Sequence, residues 1–241
     1  MILELENLTK LYKNGRGAED ISFTLASGEV LGLLGPNGSG KTTTMKAIAG
    51  LVRPTRGSVR ICGINALQKH EEAMRRAGCL IEAPALHEHM TAYDNLNLAA
   101  RFYKTVNDVR VDEVLRMVEM DKYKKEKVAS FSLGMRQRIG LALALLSDPE
   151  LLILDEPANG LDIEGMVAVR EVVKKAAERG AAVLISSHLA HEIEQCATRA
   201  GILFEGKLLS VESMDGILAS SPSLEDYFLS QIANNREEVA I

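Results

Sequence analysis

The chain has 241 residues, 46% of them apolar and 25% charged, enough for one generous globular domain with its own core. Its net charge of −5 and the lack of any basic run speak against a nucleic-acid partner. No run approaches about 18 consecutive apolar residues, so no helical membrane span is expected, and Met1-Ile2-Leu3-Glu4 does not open like a signal peptide.

Taken in chain order, 2–8, 21–25 and 30–34 read as strands punctuated by Gly15, Gly17 and Gly28. A glycine-rich turn then leads into a helix over 41–49, a strand over 58–62 and a charged helical stretch over 69–77. Helices are expected from Thr91, with Asp94 three residues on, through 96–102, then over 112–120 and 135–146. The segment 151–154 is a short apolar strand of the buried parallel type, followed by a helix over 165–179 and a strand over 182–186. Alternation of strand and helix predicts a mostly parallel α/β sheet, interrupted by a helical insertion over about 83–150. Strands at 201–204 and 207–211 flank a hairpin pair, Glu205-Gly206. The main domain is expected to span 1–230, with 231–241 a polar tail that frays over 234–241. Cys62, Cys79 and Cys196 are widely spaced and read as buried, reduced thiols.

Two motifs carry chemistry. Gly35-Pro36-Asn37-Gly38-Ser39-Gly40-Lys41-Thr42, followed by Thr43, fits G-x-x-x-x-G-K-[ST] between a strand and a helix. The glycines let backbone N–H groups turn inward on phosphate oxygens, and the helix N-terminus adds favourable charge. Lys41 can reach the β- and γ-phosphates of ATP, and the Thr42 hydroxyl can ligate Mg²⁺. The second motif is an apolar strand ending in Asp155-Glu156 before Pro157. Asp155 is placed to hold Mg²⁺, and Glu156 to orient a water for attack on the γ-phosphate. In isolation the two acids are equally a surface turn before a proline.

Phe131-Ser132-Leu133-Gly134-Met135-Arg136-Gln137-Arg138 resembles the signature motif of ABC ATPases, with Leu133 in place of its first glycine and Met135 in place of its glutamine. As a residue, Ser132 is also an ordinary helix N-cap. The resemblance covers roughly residues 2–230 and implies a P-loop NTPase (RecA-like) core, an N-terminal antiparallel β subdomain and an inserted α-helical subdomain. It implies that Asn159-Gly160-Leu161-Asp162 is the D-loop, with Asp162 as its acid, and that His188, after Ser186-Ser187, contacts the γ-phosphate. Tyr12 stands where the family places an aromatic on adenine. The resemblance further implies a head-to-tail homodimer. In it Ser132, Leu133, Gly134 and Met135 close on the ATP held by the other copy's 35–43. A separate transmembrane permease and a place on the cytoplasmic face of the membrane follow as well. The family usually has glutamine where this chain has Glu82, which is expected to end a strand and offer an oxygen to the metal. The run Leu80-Ile81-Glu82 and the stretch 223–229 are similar to the ATPases of bacitracin-resistance and lantibiotic-immunity exporters, implying export of an antimicrobial peptide or drug. An ATP-dependent regulatory module with little turnover, and an exporter of ions or lipids, stay open as alternatives.

Overall fold

The computed structural model describes residues 1–239. Two sheets organise them. The first is antiparallel, in the order β2-β1-β4-β5, from β1 (Leu3–Leu11), β2 (Gly17–Leu25), β4 (Arg56–Ile61) and β5 (Ile64–Asn65). Alternation turns Leu3 and Leu5 of β1 and Ile21, Phe23 and Leu25 of β2 to the interior. Register shifts in β1 past Leu5, with Asn7 at φ +49°, bring Leu8 back to the buried face.

The second sheet has the order β10-β9-β3-β8-β7-β6. Its parallel strands are β3 (Val30–Leu34), β6 (Ala77–Leu80), β7 (Leu151–Asp155), β8 (Ala182–Ser187) and β9 (Arg199–Phe204). Only β10 (Lys207–Ser213), on an edge, runs antiparallel to its neighbour. The three central strands β3, β7 and β8 are buried along their whole length. That is why their sequences are continuous apolar runs rather than alternating ones. Leu31, Leu33, Ile153 and Leu184 pack with the antiparallel sheet and with Met45 and Ile48 of α1 (Lys41–Ile48). On the other face, Val30, Leu152, Leu154 and Ile185 pack with the helices.

A short helix, α2 (His70–Met74), precedes β6, so the stretch predicted helical over 69–77 gives its end to a strand. Three helices separate β6 from β7: α3 (Ala92–Ala100), α4 (Asp108–Met117) and α5 (Leu133–Leu145). Thr91 caps α3 with a reciprocal Thr91–Asp94 capping box, as the sequence indicates. Helix α4 begins four residues earlier than expected because Asn107 caps it, accepting from the Arg110 N–H at 3.1 Å. A Cβ at Gly78 would lie 1.8 Å from the Ala144 carbonyl oxygen, so glycine there lets α5 lie directly on β6.

Helix α6 (Ile163–Glu178) links β7 to β8. Two short helices lie outside the predicted elements: α7 (Ala190–Glu194) and α8 (Met214–Ser220), the latter capped by Ser213. The last helix, α9 (Leu224–Val239), corrects the expectation of fraying from 234: the helix continues to Val239. Fully buried Leu224 anchors its start, and the Arg236 guanidinium lies 5.6 Å from the Phe204 ring. Ala240 and Ile241 lie outside the described residues. All three cysteines are free, but only Cys196 is buried as expected, while Cys62 and Cys79 are half-buried; desolvation pushes Cys79 up to about 12 and Cys196 to about 11, and desolvation with the neighbouring Glu150 carboxylate pushes Cys62 to about 11. No helix among the described residues is long and apolar enough to cross a membrane.

Candidate functional site

The buried strand β3 delivers the chain into 35–40, and α1 begins at Lys41. Gly35 has no room for a side chain: a Cβ there would lie 2.2 Å from the Leu203 carbonyl oxygen. Gly40, at φ +106°, is the N-cap of α1 and offers it no side-chain hydrogen bond. The first N–H groups of a helix have no partner within it, so α1 presents an uncapped, partially positive end. The Gly206 N–H donates to the Ser39 carbonyl at 3.1 Å, tying the loop to the β9–β10 turn. Ser39 Oγ is buried without any hydrogen-bond partner, an orphan polar atom that a phosphate oxygen would satisfy.

Lys41 is 4% exposed. Its Nζ donates to the Gly35 carbonyl at 2.7 Å and the Pro36 carbonyl at 3.3 Å, and lies 3.5 Å from Glu156 Oε1. The other oxygen of that carboxylate, Oε2, is 3.0 Å from His188 Nδ1. An ammonium, a carboxylate and an imidazole therefore stand in line at the carboxyl ends of adjacent strands. Open α/β sheets bind ligands at that end.

Ser186 organises the acids. Asp155 and Ser186 are paired across β7 and β8. The Ser186 hydroxyl donates to Asp155 Oδ1 at 2.7 Å and accepts from the Glu156 N–H at 3.0 Å. Glu156 itself sits at φ +46°, so the chain leaves the strand sharply and turns its carboxylate toward Lys41. Ser187 Oγ donates to Glu192 at 2.5 Å and accepts from the Leu189 N–H at 3.0 Å, which fixes the turn carrying His188. Sequence reasoning gave these two serines no role. Strand-end serines beside an Asp-Glu pair were the available signal.

Thr42 and Thr43 lie in the first turn of α1, half-buried, and share a cavity with Lys41, Glu156 and Tyr12. Tyr12 is exposed, in the turn between β1 and β2, where its N–H donates to the Arg16 carbonyl at 2.8 Å. Arg16 lines the same cavity and was not anticipated. Glu82 lies two residues beyond β6 at φ +60° rather than at a strand end, and its carboxylate is held by Lys46 of α1 at 2.6 Å. Among the described residues no three His, Cys, Asp or Glu side chains gather as a metal cage. A hydroxyl and one buried acid, Thr42 and Asp155, suit Mg²⁺, which takes few protein ligands and keeps phosphate oxygens and waters.

The signature residues lie elsewhere. Ser132 caps α5, accepting from the Met135 N–H at 3.2 Å, so the helix starts at Leu133, two residues before the expected position. Asp162 caps α6, accepting from the Gly165 N–H at 2.8 Å. Ser132, Leu133, Gly134, Met135, Gly160, Leu161 and Asp162 line an open groove that shares no residue with the cavity around Lys41. The cavity around Lys41 and the groove at the start of α5 thus stand apart on one chain.

Comparison with known proteins fits this arrangement. The family model described as ABC transporter matches residues 18–159. The chain is 42% identical over 209 residues to the bacitracin transport ATP-binding protein BcrA of Bacillus licheniformis, covering 86% of this chain and 68% of that protein. It is 36% identical over 231 residues to the lantibiotic transport ATP-binding protein SrtF of Streptococcus pyogenes, covering 96% and 97% respectively. Among solved structures, an ATP-binding subunit of an ABC transporter superposes with a TM-score of 0.88 at 30% identity, covering 96% of this chain and all of that one. The dimeric, ADP- and Pi-bound ATP-binding cassette MJ0796 superposes at 0.79 with 27% identity, covering 88% and 98%. The α/β architecture is that of a P-loop NTPase core with an antiparallel β part and a helical part, and the chain belongs to the ATP-binding subunits of ABC transporters.

Proposed function

We propose that this chain binds and hydrolyses Mg-ATP at the Lys41–Glu156–His188 line and, as a head-to-tail homodimer on the cytoplasmic face of the membrane, powers export of an antimicrobial peptide or drug through a separate permease. The observation that carries the reading is the ammonium–carboxylate–imidazole line at the mouth of an uncapped helix, with a serine-capped helix start on a different surface of the same chain.

The phosphates lie along 35–43: Gly35, Pro36, Asn37, Gly38, Ser39 and Gly40 give backbone N–H groups and the orphan Ser39 hydroxyl, and Thr42 and Thr43 add the first turn of α1. Lys41 turns from the Gly35 carbonyl and Glu156 to the β- and γ-phosphate oxygens, which frees the carboxylate. Glu156 then accepts a proton from the attacking water as the water oxygen bonds to the γ-phosphorus and the bridging oxygen leaves with ADP. His188 leaves Glu156 as the carboxylate turns to the water, and donates its ring N–H to a γ-phosphate oxygen. Thr42, Asp155 and Glu82 are the residues that would hold Mg²⁺, which supplies charge neutralisation between the phosphates. Tyr12 presents its ring to adenine.

Ser132, Leu133, Gly134 and Met135, with Asp162 nearby, close on the nucleotide of the second copy. Likeness to MJ0796, solved as a dimer with ADP and Pi, supports the pairing. Likeness to BcrA and SrtF, named for bacitracin and lantibiotic transport, supports the cargo class. In this reading 1–230 works as one ATP-binding unit with a helical subdomain over about 83–150. Phosphate release from purified chain, alone and with its membrane subunit, tests the proposal. Nucleotide binding without phosphate release in either preparation would make the chain a regulatory module instead.

A further inference from the structure

The start of α5 and the loop between β7 and α6 meet through two leucines and two glycines. A Cβ at Gly160 would lie 2.9 Å from Leu133 Cδ2, and a Cβ at Gly134 would lie 3.2 Å from Leu161 Cδ2. Each leucine therefore rests on the glycine of the opposite segment, at a distance that any larger residue would disturb. Gly160 is also at φ +75°, which disfavours a side chain there for a second reason. Leu161 is anchored in the core on its far side, while Leu133 is 63% exposed. Hydrophobic burial thus accounts for Leu161 and leaves the placement of Leu133 to its contact with Gly160.

That contact reaches the acid site through backbone. The Asn159 N–H donates to the Glu156 carbonyl at 3.1 Å, and the Leu161 N–H donates to the Ala158 carbonyl at 3.1 Å. Gly160 lies between these two bonds. The residue next to Ser132 consequently rests on the same tight turn that presents Glu156 to Lys41 and His188.

We propose that Leu133 is a positioning residue: by clasping Gly160 it makes the 156–161 turn and the start of α5 one body, so that Ser132 and Glu156 of the same chain move together. On the nucleotide reading above, which this inference deepens, Ser132 meets the ATP of the other copy while Glu156 serves its own. The clasp then carries the arrival of one nucleotide to the base that activates water at the other. It also assigns a purpose to the leucine that stands where the signature usually has glycine: the side chain supplies a grip on the D-loop that a glycine lacks.

The experiment compares Leu133→Ala and Leu133→Met in the full chain. Leu133 is largely exposed, so neither change threatens folding. Amide hydrogen exchange of the free chain is read first. In Leu133→Ala, losing two to three carbon groups from the contact speeds exchange at Asn159 and Leu161 by roughly three- to tenfold, with α1 unaffected. Leu133→Met, of similar reach, restores the wild-type rates. Unchanged exchange at Asn159 and Leu161 in Leu133→Ala overturns the proposal. ATP turnover is read second: kcat falls several-fold in Leu133→Ala with KM held, and Met restores it. A raised KM with kcat intact would show that Leu133 serves only as a contact to the second copy's nucleotide, which overturns its positioning role. If the wild-type chain hydrolyses no ATP, the functional reading fails, and the exchange measurement still decides whether the clasp exists.

Discussion

The two ends of the chain's nucleotide surface are built to different standards. At the phosphate loop, Ser39, Lys41 and Asp155 are at most 5% exposed, and the loop is tied by hydrogen bonds to itself and to the β9–β10 turn. At the start of α5, Ser132 and Leu133 are exposed, and one cap bond with a pair of leucine–glycine contacts does the holding. The first end is a finished site. The second is half of one, with its polar groups turned to a surface groove. In the proposed head-to-tail pairing a second copy completes the half-built end, and the contrast itself supports that proposal.

The largest effect should come from the finished end. Glu156→Gln removes the proton acceptor but keeps shape and the hydrogen bond to His188. Single-turnover hydrolysis should fall by about 10²–10⁴ while nucleotide binding persists, leaving a closed dimer that gel filtration detects. Normal turnover in that variant would take Glu156 out of the role. Lys41→Ala should act one step earlier. Charge-assisted bonds to phosphate are worth about 1.5–3 kcal/mol, so nucleotide affinity measured by calorimetry should weaken roughly ten- to a hundredfold. Unchanged affinity would mean that Lys41 stays on the Gly35 carbonyl and Glu156 when nucleotide is present.

How much of this could be read in advance also divides along the same line. The phosphate loop, β3, β7 and β8 were legible because continuous apolar runs and a rigid glycine spacing are local signals. What escaped depends on distant partners. Ser186 bridges Asp155 and Glu156 from a strand 31 positions away in sequence, and Lys46 meets Glu82 across 36. Helix boundaries slipped where a cap, not periodicity, sets the start, Asn107 for α4 and Ser132 for α5, and α8, capped by Ser213, carries too short a pattern to read at all. The polar end of α9 looked frayed because its sequence lacks apolar periodicity, and its anchors, Leu224 and the Arg236–Phe204 contact, belong to tertiary packing.

Ser132→Ala probes the incomplete end. Losing the cap costs about 1 kcal/mol, a fall in Tm of about 2–4 °C for a chain of this size. Nucleotide binding by the free monomer should be untouched, because in the proposed dimer the serine faces the other copy's ATP, whereas ATP-driven dimerisation should weaken. A loss of monomer affinity would erase the distinction between the two ends.

The smallest effect is expected at the Lys46–Glu82 pair, which ties α1 to the segment beyond β6. The Glu82 side chain is 63% exposed, so the ion pair adds at most about 1 kcal/mol to stability, and breaking it should move Tm by no more than about 4 °C. Its consequence for the metal is more telling than its strength. If Glu82 leaves Lys46 to offer an oxygen to Mg²⁺, the lysine competes with the ion for the carboxylate. Lys46→Met then lowers the Mg²⁺ concentration needed for half-maximal ATP binding, by roughly twofold for a contact of about 0.5 kcal/mol, and Glu82→Gln raises it by a similar factor. High salt should shrink the first shift, since screening weakens the competing pair in the wild type as well. Opposite signs in the two variants assign the carboxylate to both partners in turn. Shifts of the same sign would show that the pair only tethers α1 to the segment beyond β6, and the metal would then rest on Thr42 and Asp155.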